Sequence, residues 1–112
     1  MSRAESRTDS TSWTFLSNHG HVLLCLAKRP DARLRDVAEL VGITERAVQS
    51  IVSDLEQTGA ITRIREGRRN RYEIHEDAHL RHPVESQSTI ADLLELAKER
   101  STQRRRSRAG RA

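Results

Sequence analysis

Aromatic residues are nearly missing from this 112-residue sequence, which has one Trp, one Tyr and one Phe. That scarcity argues against a platform for single-stranded nucleic acid, which stacks bases on aromatic rings. Cysteine occurs once, as Cys25, so no internal disulfide can form and nothing marks an oxidising compartment. No apolar run comes near the roughly 18 residues of a membrane span. The longest, residues 22–27, suits a buried helix. The opening residues, Met1 to Arg7, lack the apolar stretch of a secretory signal. A cytoplasmic, nucleoid-associated protein with no membrane contact is the expectation. Nucleophile-elbow, phosphate-loop and metalloprotease motifs are also missing, so no enzyme and no cofactor are expected.

A chain of this length fits one domain. A domain that small sits near the stability margin, and a partner subunit would help it. The net charge is +4, yet the total misleads. Residues 101–112 hold five arginines (Arg104, Arg105, Arg106, Arg108 and Arg111) and no acid. Without them 15 basic residues face 16 acidic ones. Any affinity for a polyanion must come from basic groups gathered at one place, because net charge alone argues only for solubility and non-specific attraction.

Residues 1–12 are polar without an apolar period and read as a disordered lead. Trp13, Phe15 and Leu16 begin the apolar content. Ser17 or Asn18 can cap a first helix that reaches about Lys28 and is stopped by Pro30. Its apolar residues cover nearly the whole circumference, which predicts a central, buried helix. A second helix is expected from about Arg35 to Val41, with Leu34, Val37, Ala38 and Val41 at helical spacing. Gly42 suits the left-handed conformation that ends a helix. Thr44 caps a third helix running to about Thr58, whose inward stripe is Val48, Ile51, Val52 and Leu55. Gly59 ends it.

The period then changes from helical to alternating. Residues 61–66 and 71–75 read as two strands around a turn at Gly67, Arg68, Arg69 and Asn70, which is a β-hairpin. Residues 76–87 are polar and contain Pro83. A last helix is expected from Ser88, with Ile90, Leu93, Leu94 and Ala97 on one stripe. The division is therefore a lead over 1–12, a domain over 13–75, a linker and amphipathic helix over 76–100, and a disordered arginine-rich tail over 101–112. The fold class is mainly α with a small β-hairpin (α+β).

Two short helices joined by a glycine turn and followed by a hairpin form the order of a winged helix-turn-helix. Ala38 is small where the two helices would cross, Gly42 follows four residues later, and Val48 and Ile51 fall where the second helix packs on the first. The sequence resembles the compact prokaryotic winged-helix regulators of the MarR/ArsR kind, over about Phe15 to His75. The last helix is an addition to that core.

The resemblance implies that the third helix enters the major groove of double-stranded DNA with its N-terminal, outward residues against the bases. Those residues are Thr44, Glu45, Arg46, Gln49, Ser50 and Ser53. Arginine can pair with guanine and glutamine with adenine through two hydrogen bonds each. Thr44 and Ser50 are candidates for phosphates. The wing supplies charge, since residues 63–71 hold Arg63, Arg65, Arg68, Arg69 and Arg71 against Glu66 alone. Arg68 and Arg69 at its tip suit the backbone or the minor groove. Asn70 would shape the turn or touch a phosphate.

A homodimer on a palindromic site is the expected assembly. Its interface is expected from the segment 13–26 and the stripe Ile90, Leu93, Leu94 and Ala97. The rival class is a winged helix used only for protein contact, as a dimerisation or adaptor module. Glu45, Asp54 and Glu56 on the third helix favour it, because fold alone does not fix function. A structured-RNA binder is a third reading. Cys25 reads as an inert core residue, with a redox thiol as the sharper alternative. His19 and His21, or His75, His79 and His82, lack a tight ligand pattern, so no metal is expected. No effector is identified by the sequence.

Overall fold

The structure is a computed structural model that describes residues 12–98. The expected lead (beyond Ser12) and the arginine-rich tail lie outside those residues.

The first helix, α1 (Asn18–Lys28), starts where Ser17 turns out of an extended backbone and its hydroxyl accepts the Gly20 N–H. It stops at Arg29 because Pro30 disfavours a helical residue before it. Helix α2 (Leu34–Val41) begins one residue earlier than the sequence suggests and ends at Gly42. There φ is +88°, a left-handed conformation that costs glycine little and a side-chain-bearing residue more. The Gly42 and Ile43 N–H groups both donate to the Ala38 carbonyl, at 2.8 and 3.1 Å, which satisfies the end of the helix and turns the chain. Helix α3 (Glu45–Gln57) follows at once, with the Thr44 hydroxyl accepting the Ala47 N–H at 3.0 Å.

Strands β1 (Ile61–Glu66) and β2 (Arg69–Ile74) pair antiparallel, with Ile61 opposite Ile74 and Glu66 opposite Arg69. The turn is shorter than expected. Gly67 and Arg68 alone make it, with Gly67 at φ +63°, and Asn70 is a strand residue paired with Arg65. One positive-φ glycine is enough for a two-residue connection. Beyond β2 a single bridge joins His79 to Thr89, around a 3-10 turn at Pro83–Glu85. Helix α4 (Ile90–Leu96) then starts in a capping box, Thr89 and Asp92 each satisfying the other's backbone N–H.

The core gathers one face of every element. Val22 and Leu26 of α1, Val37 of α2, and Val48 and Val52 of α3 are fully buried. Each such side chain contributes about 1.5–3 kcal/mol relative to an exposed position. Ala38 is buried at the α2–α3 crossing, where a larger residue would push the helices apart. Tyr72 and Ile61 close the core from the hairpin side. A backbone bond from the Tyr72 N–H to the Pro30 carbonyl (2.8 Å) ties the hairpin down, and one from the His75 N–H to the Ala60 carbonyl (2.9 Å) closes its base. The result is a helix pair with a docked two-stranded wing, the winged helix-turn-helix arrangement, in a mixed α+β chain.

Part of the surface expected to hold a partner lies inside the chain. Val22, Leu23, Leu26 and Ile90 are core residues, and Leu93 and Leu94 pack against that core. The large apolar residues left exposed among the described residues are Trp13, Phe15, Leu40, Val84 and Leu96. Among the described residues, no helix is long and apolar enough to cross a membrane.

Candidate nucleic-acid interface

Helix α3 buries Val48, Ile51, Val52 and Leu55, and this fixes what faces out. Arg46, Gln49, Ser50 and Ser53 recur at three- and four-residue intervals and so share the opposite side. Glu45, Arg46, Gln49 and Ser50 are exposed, and Ser53 is half-buried. Arg46, Gln49 and Ser50 make no side-chain hydrogen bond or ion pair among the described residues. Ser53 accepts a bond from Gln57 Nε2 at 3.4 Å. The Thr44 hydroxyl is engaged as the helix cap.

The wing arginines divide into two kinds. Arg63 donates to Glu56 of α3 at 2.9 Å, and its guanidinium lies 5.9 Å from the Tyr72 ring centre. It holds the wing to the helix and is neutralised there. Arg71 pairs with Glu66 at 3.1 Å on the same face of the hairpin. Arg65 Nε donates to the Gly67 carbonyl at 3.0 Å, and Arg69 donates to the Asp31 carbonyl at 2.7 Å. These two keep their net charge, because a carbonyl carries none. Arg68, at the turn, has no partner among the described residues. Exposed ion pairs contribute about 0–1 kcal/mol each, so DNA phosphates could compete for Arg71.

Between the wing and the helix starts lies a groove of about 520 Å³. Arg68, Arg69 and Asn70 line it from the wing, Glu45 from α3, and Arg33 and Leu34 from the start of α2. Arg33 escaped the sequence reading. It occupies the N-cap of α2 but makes no capping bond with its side chain. Its only sequence signal is its place just before a helix start, where first-turn N–H groups also face outward. Three arginines thus line one groove together with two acidic residues, Glu45 and Asp31, which leaves it a net positive charge.

Elsewhere the titratable groups serve structure. His19 Nε2 lies 2.8 Å from Asp54 Oδ2, clipping the start of α1 to the end of α3. His75 bridges the Thr62 hydroxyl and the Gly59 carbonyl, at 2.7 and 2.8 Å. No group of three potential metal ligands occurs among the described residues. Burial pushes the Cys25 thiol up, against smaller opposing effects of Lys28 and Arg29. The thiol is therefore protonated at neutral pH, as befits a packing residue rather than a reactive one.

Comparison with known proteins bears on this arrangement. Residues 17–62 match a family model described as winged helix-turn-helix DNA-binding, a span from the α1 cap into β1. No significant match occurs among curated proteins. Among solved structures, the chain is similar to the PcaV transcriptional regulator from Streptomyces coelicolor. One crystal structure aligns at 30% identity over 52% of this chain and 45% of that one, with a TM-score of 0.45, so the match spans about half that protein's length. PcaV in complex with its natural ligand aligns at 24% identity, over 86% of this chain and 72% of that one, with a TM-score of 0.50. MepR, a transcription regulator of the Staphylococcus aureus multidrug efflux pump MepA, aligns at 16% identity, over 86% and 64%, also with a TM-score of 0.50. The last two likenesses identify a shared fold, the winged helix-turn-helix of these regulators.

Proposed function

We propose that this chain is a transcriptional regulator that binds double-stranded DNA in a sequence-dependent way. The observation that carries the reading is the pairing of two surfaces. The outward stripe of α3 presents Arg46, Gln49 and Ser50 without side-chain partners among the described residues. Beside it, Arg33, Arg68 and Arg69 line a groove of about 520 Å³. The first has the donors and acceptors that read base edges, and the second has the charge that holds a backbone.

In this mechanism α3 enters the major groove N-terminus first. Arg46 pairs with a guanine and Gln49 with an adenine. Arg68 and Arg69 lie on the phosphates flanking the site or reach the adjacent minor groove, and Arg33 meets the backbone from the α2 side. Glu45 repels phosphate or accepts from a cytosine amino group, and so restricts which sequence fits. Arg63 stays on Glu56 and Tyr72, and positions the wing. No chemical step is involved and no cofactor is needed. As a homodimer the protein would place two α3 helices about 34 Å apart on a palindrome, acting in the cytoplasm at the nucleoid.

Selection of bound sequences from a random duplex library tests this directly. The expected result is an enriched motif that Arg46→Ala or Gln49→Ala relaxes at one position each. Failure to retain duplex at low salt would instead favour the protein-contact module, whose surface needs no polyanion.

A further inference from the structure

The groove between the wing and the helix starts is lined by six polar side chains with bonding capacity to spare. They are Asp31 and Arg33 at the approach to α2, Glu45 of α3, and Arg68, Arg69 and Asn70 of the wing. Both signs of charge are present, yet they do not neutralise each other. Neither carboxylate has a partner among the described residues. Of the three guanidinium groups only that of Arg69 is engaged there, and its bond goes to the Asp31 backbone carbonyl at 2.7 Å. The half-buried Asn70 amide is also without a partner among those residues.

A DNA backbone answers only half of this set. Its phosphates accept from the arginines, but deoxyribose has no 2′-hydroxyl to donate, so the carboxylates meet the backbone only as like charge. The complement of the whole set is a phosphate with vicinal hydroxyls close by. Arginine forks suit phosphate oxygens, and carboxylates accept from ribose hydroxyls. Ala32 and Leu34 add an apolar wall for a base, and a groove of about 520 Å³ is of small-molecule size. We propose that this groove is a site for a free ribonucleoside diphosphate or triphosphate. Its phosphates go to Arg33, Arg68 and Arg69, and its ribose hydroxyls to Asp31 and Glu45. A nucleotide seated there occupies arginines that the duplex needs, and so displaces DNA. The displacement rests on the DNA reading above, whereas the nucleotide site does not.

Calorimetric titration of the full-length chain with adenosine and guanosine diphosphate, without divalent metal, reads the site directly. The expected result is one nucleotide per chain, held about ten-fold more tightly than its 2′-deoxy analogue, the size of one lost hydrogen bond to a charged group. Arg33→Ala and Arg68→Ala should each weaken it by about the same factor. Arg81→Ala, in the groove on the other side of α3, should leave it unchanged. All six side chains are exposed or half-buried, so the variants should keep the circular dichroism spectrum. The pair Asp31→Asn with Glu45→Gln separates recognition from attraction by charge. The proposal predicts weaker binding and no preference for ribose, whereas tighter binding of both nucleotide forms overturns it. Binding that survives Arg33→Ala and Arg68→Ala unchanged also overturns it, because the nucleotide then sits on other arginines, such as those of residues 101–112. No binding at millimolar nucleotide does so equally. A second arm follows a labelled duplex by anisotropy as nucleotide is added. The ribonucleotide should release duplex at concentrations where the 2′-deoxy analogue releases little. Duplex that stays bound to a nucleotide-saturated chain overturns the displacement. A chain that retains no duplex at all contradicts the DNA reading instead, and calorimetry still decides the groove.

Discussion

Helix α3 and the wing both present arginines, but the two regions hold them differently. On α3 the outward residues Arg46, Gln49 and Ser50 have no side-chain partner among the described residues, although Glu45 stands beside them in the first turn. On the wing, strand pairing puts Arg71 beside Glu66, and docking puts Arg63 beside Glu56. A hairpin cannot spread its side chains without bringing cross-strand neighbours within about 5 Å. Five wing arginines therefore do not amount to five available charges. In the proposed function the wing's contribution to a polyanion therefore reduces to Arg65, Arg68 and Arg69, with Arg33 joining from α2, and base reading is assigned to the helix.

The largest effect that sharpens this contrast is expected at Arg46. Arg46→Ala should cost about 1–3 kcal/mol on the preferred duplex and almost nothing on a scrambled one. Titration against both duplexes measures the difference. Next comes Arg68→Ala, which should weaken all sequences alike and lower the slope of log K against log salt by about 0.9. Glu66→Gln should act in the opposite direction. It releases Arg71 and removes a negative charge, so affinity rises several-fold and the salt slope steepens, as anisotropy titrations at several salt concentrations would show. The smallest effect on binding is expected from Arg63→Ala, with the salt slope unchanged. Its cost should appear in thermal or urea unfolding, at about 1 kcal/mol, from the lost ring contact and ion pair.

Local signals made the fold legible. Ala38, Gly42 and the stripe from Val48 to Leu55 follow from helical spacing and capping, and the structure places each where that spacing requires. The outward face of α3 follows by subtraction. The wing is legible in the sequence as an element, whereas the partners its arginines find are not. Arg69 meets an Asp31 carbonyl 38 residues away, and Arg33 enters the groove only because Tyr72 docks the hairpin on Pro30. Neither contact leaves a trace in spacing. Composition suggests Asn70 as a turn residue, whereas the turn is Gly67 and Arg68, with Gly67 at positive φ, and Asn70 pairs with Arg65. The helix α4 stripe is amphipathic as expected; Ile90 enters this chain's own core and Leu93 and Leu94 pack partly against it, since periodicity says that a face is covered and not by what.

One measurement bears most directly on the claim that free arginines, rather than all wing arginines, meet the phosphates. It is the salt dependence of duplex binding for the unaltered chain, Arg68→Ala and Arg63→Ala side by side. The account predicts a linear fall of log K with log salt, a slope smaller by about 0.9 for Arg68→Ala and the unaltered slope for Arg63→Ala. Binding that ignores salt, or an equal loss of slope for both variants, would contradict it.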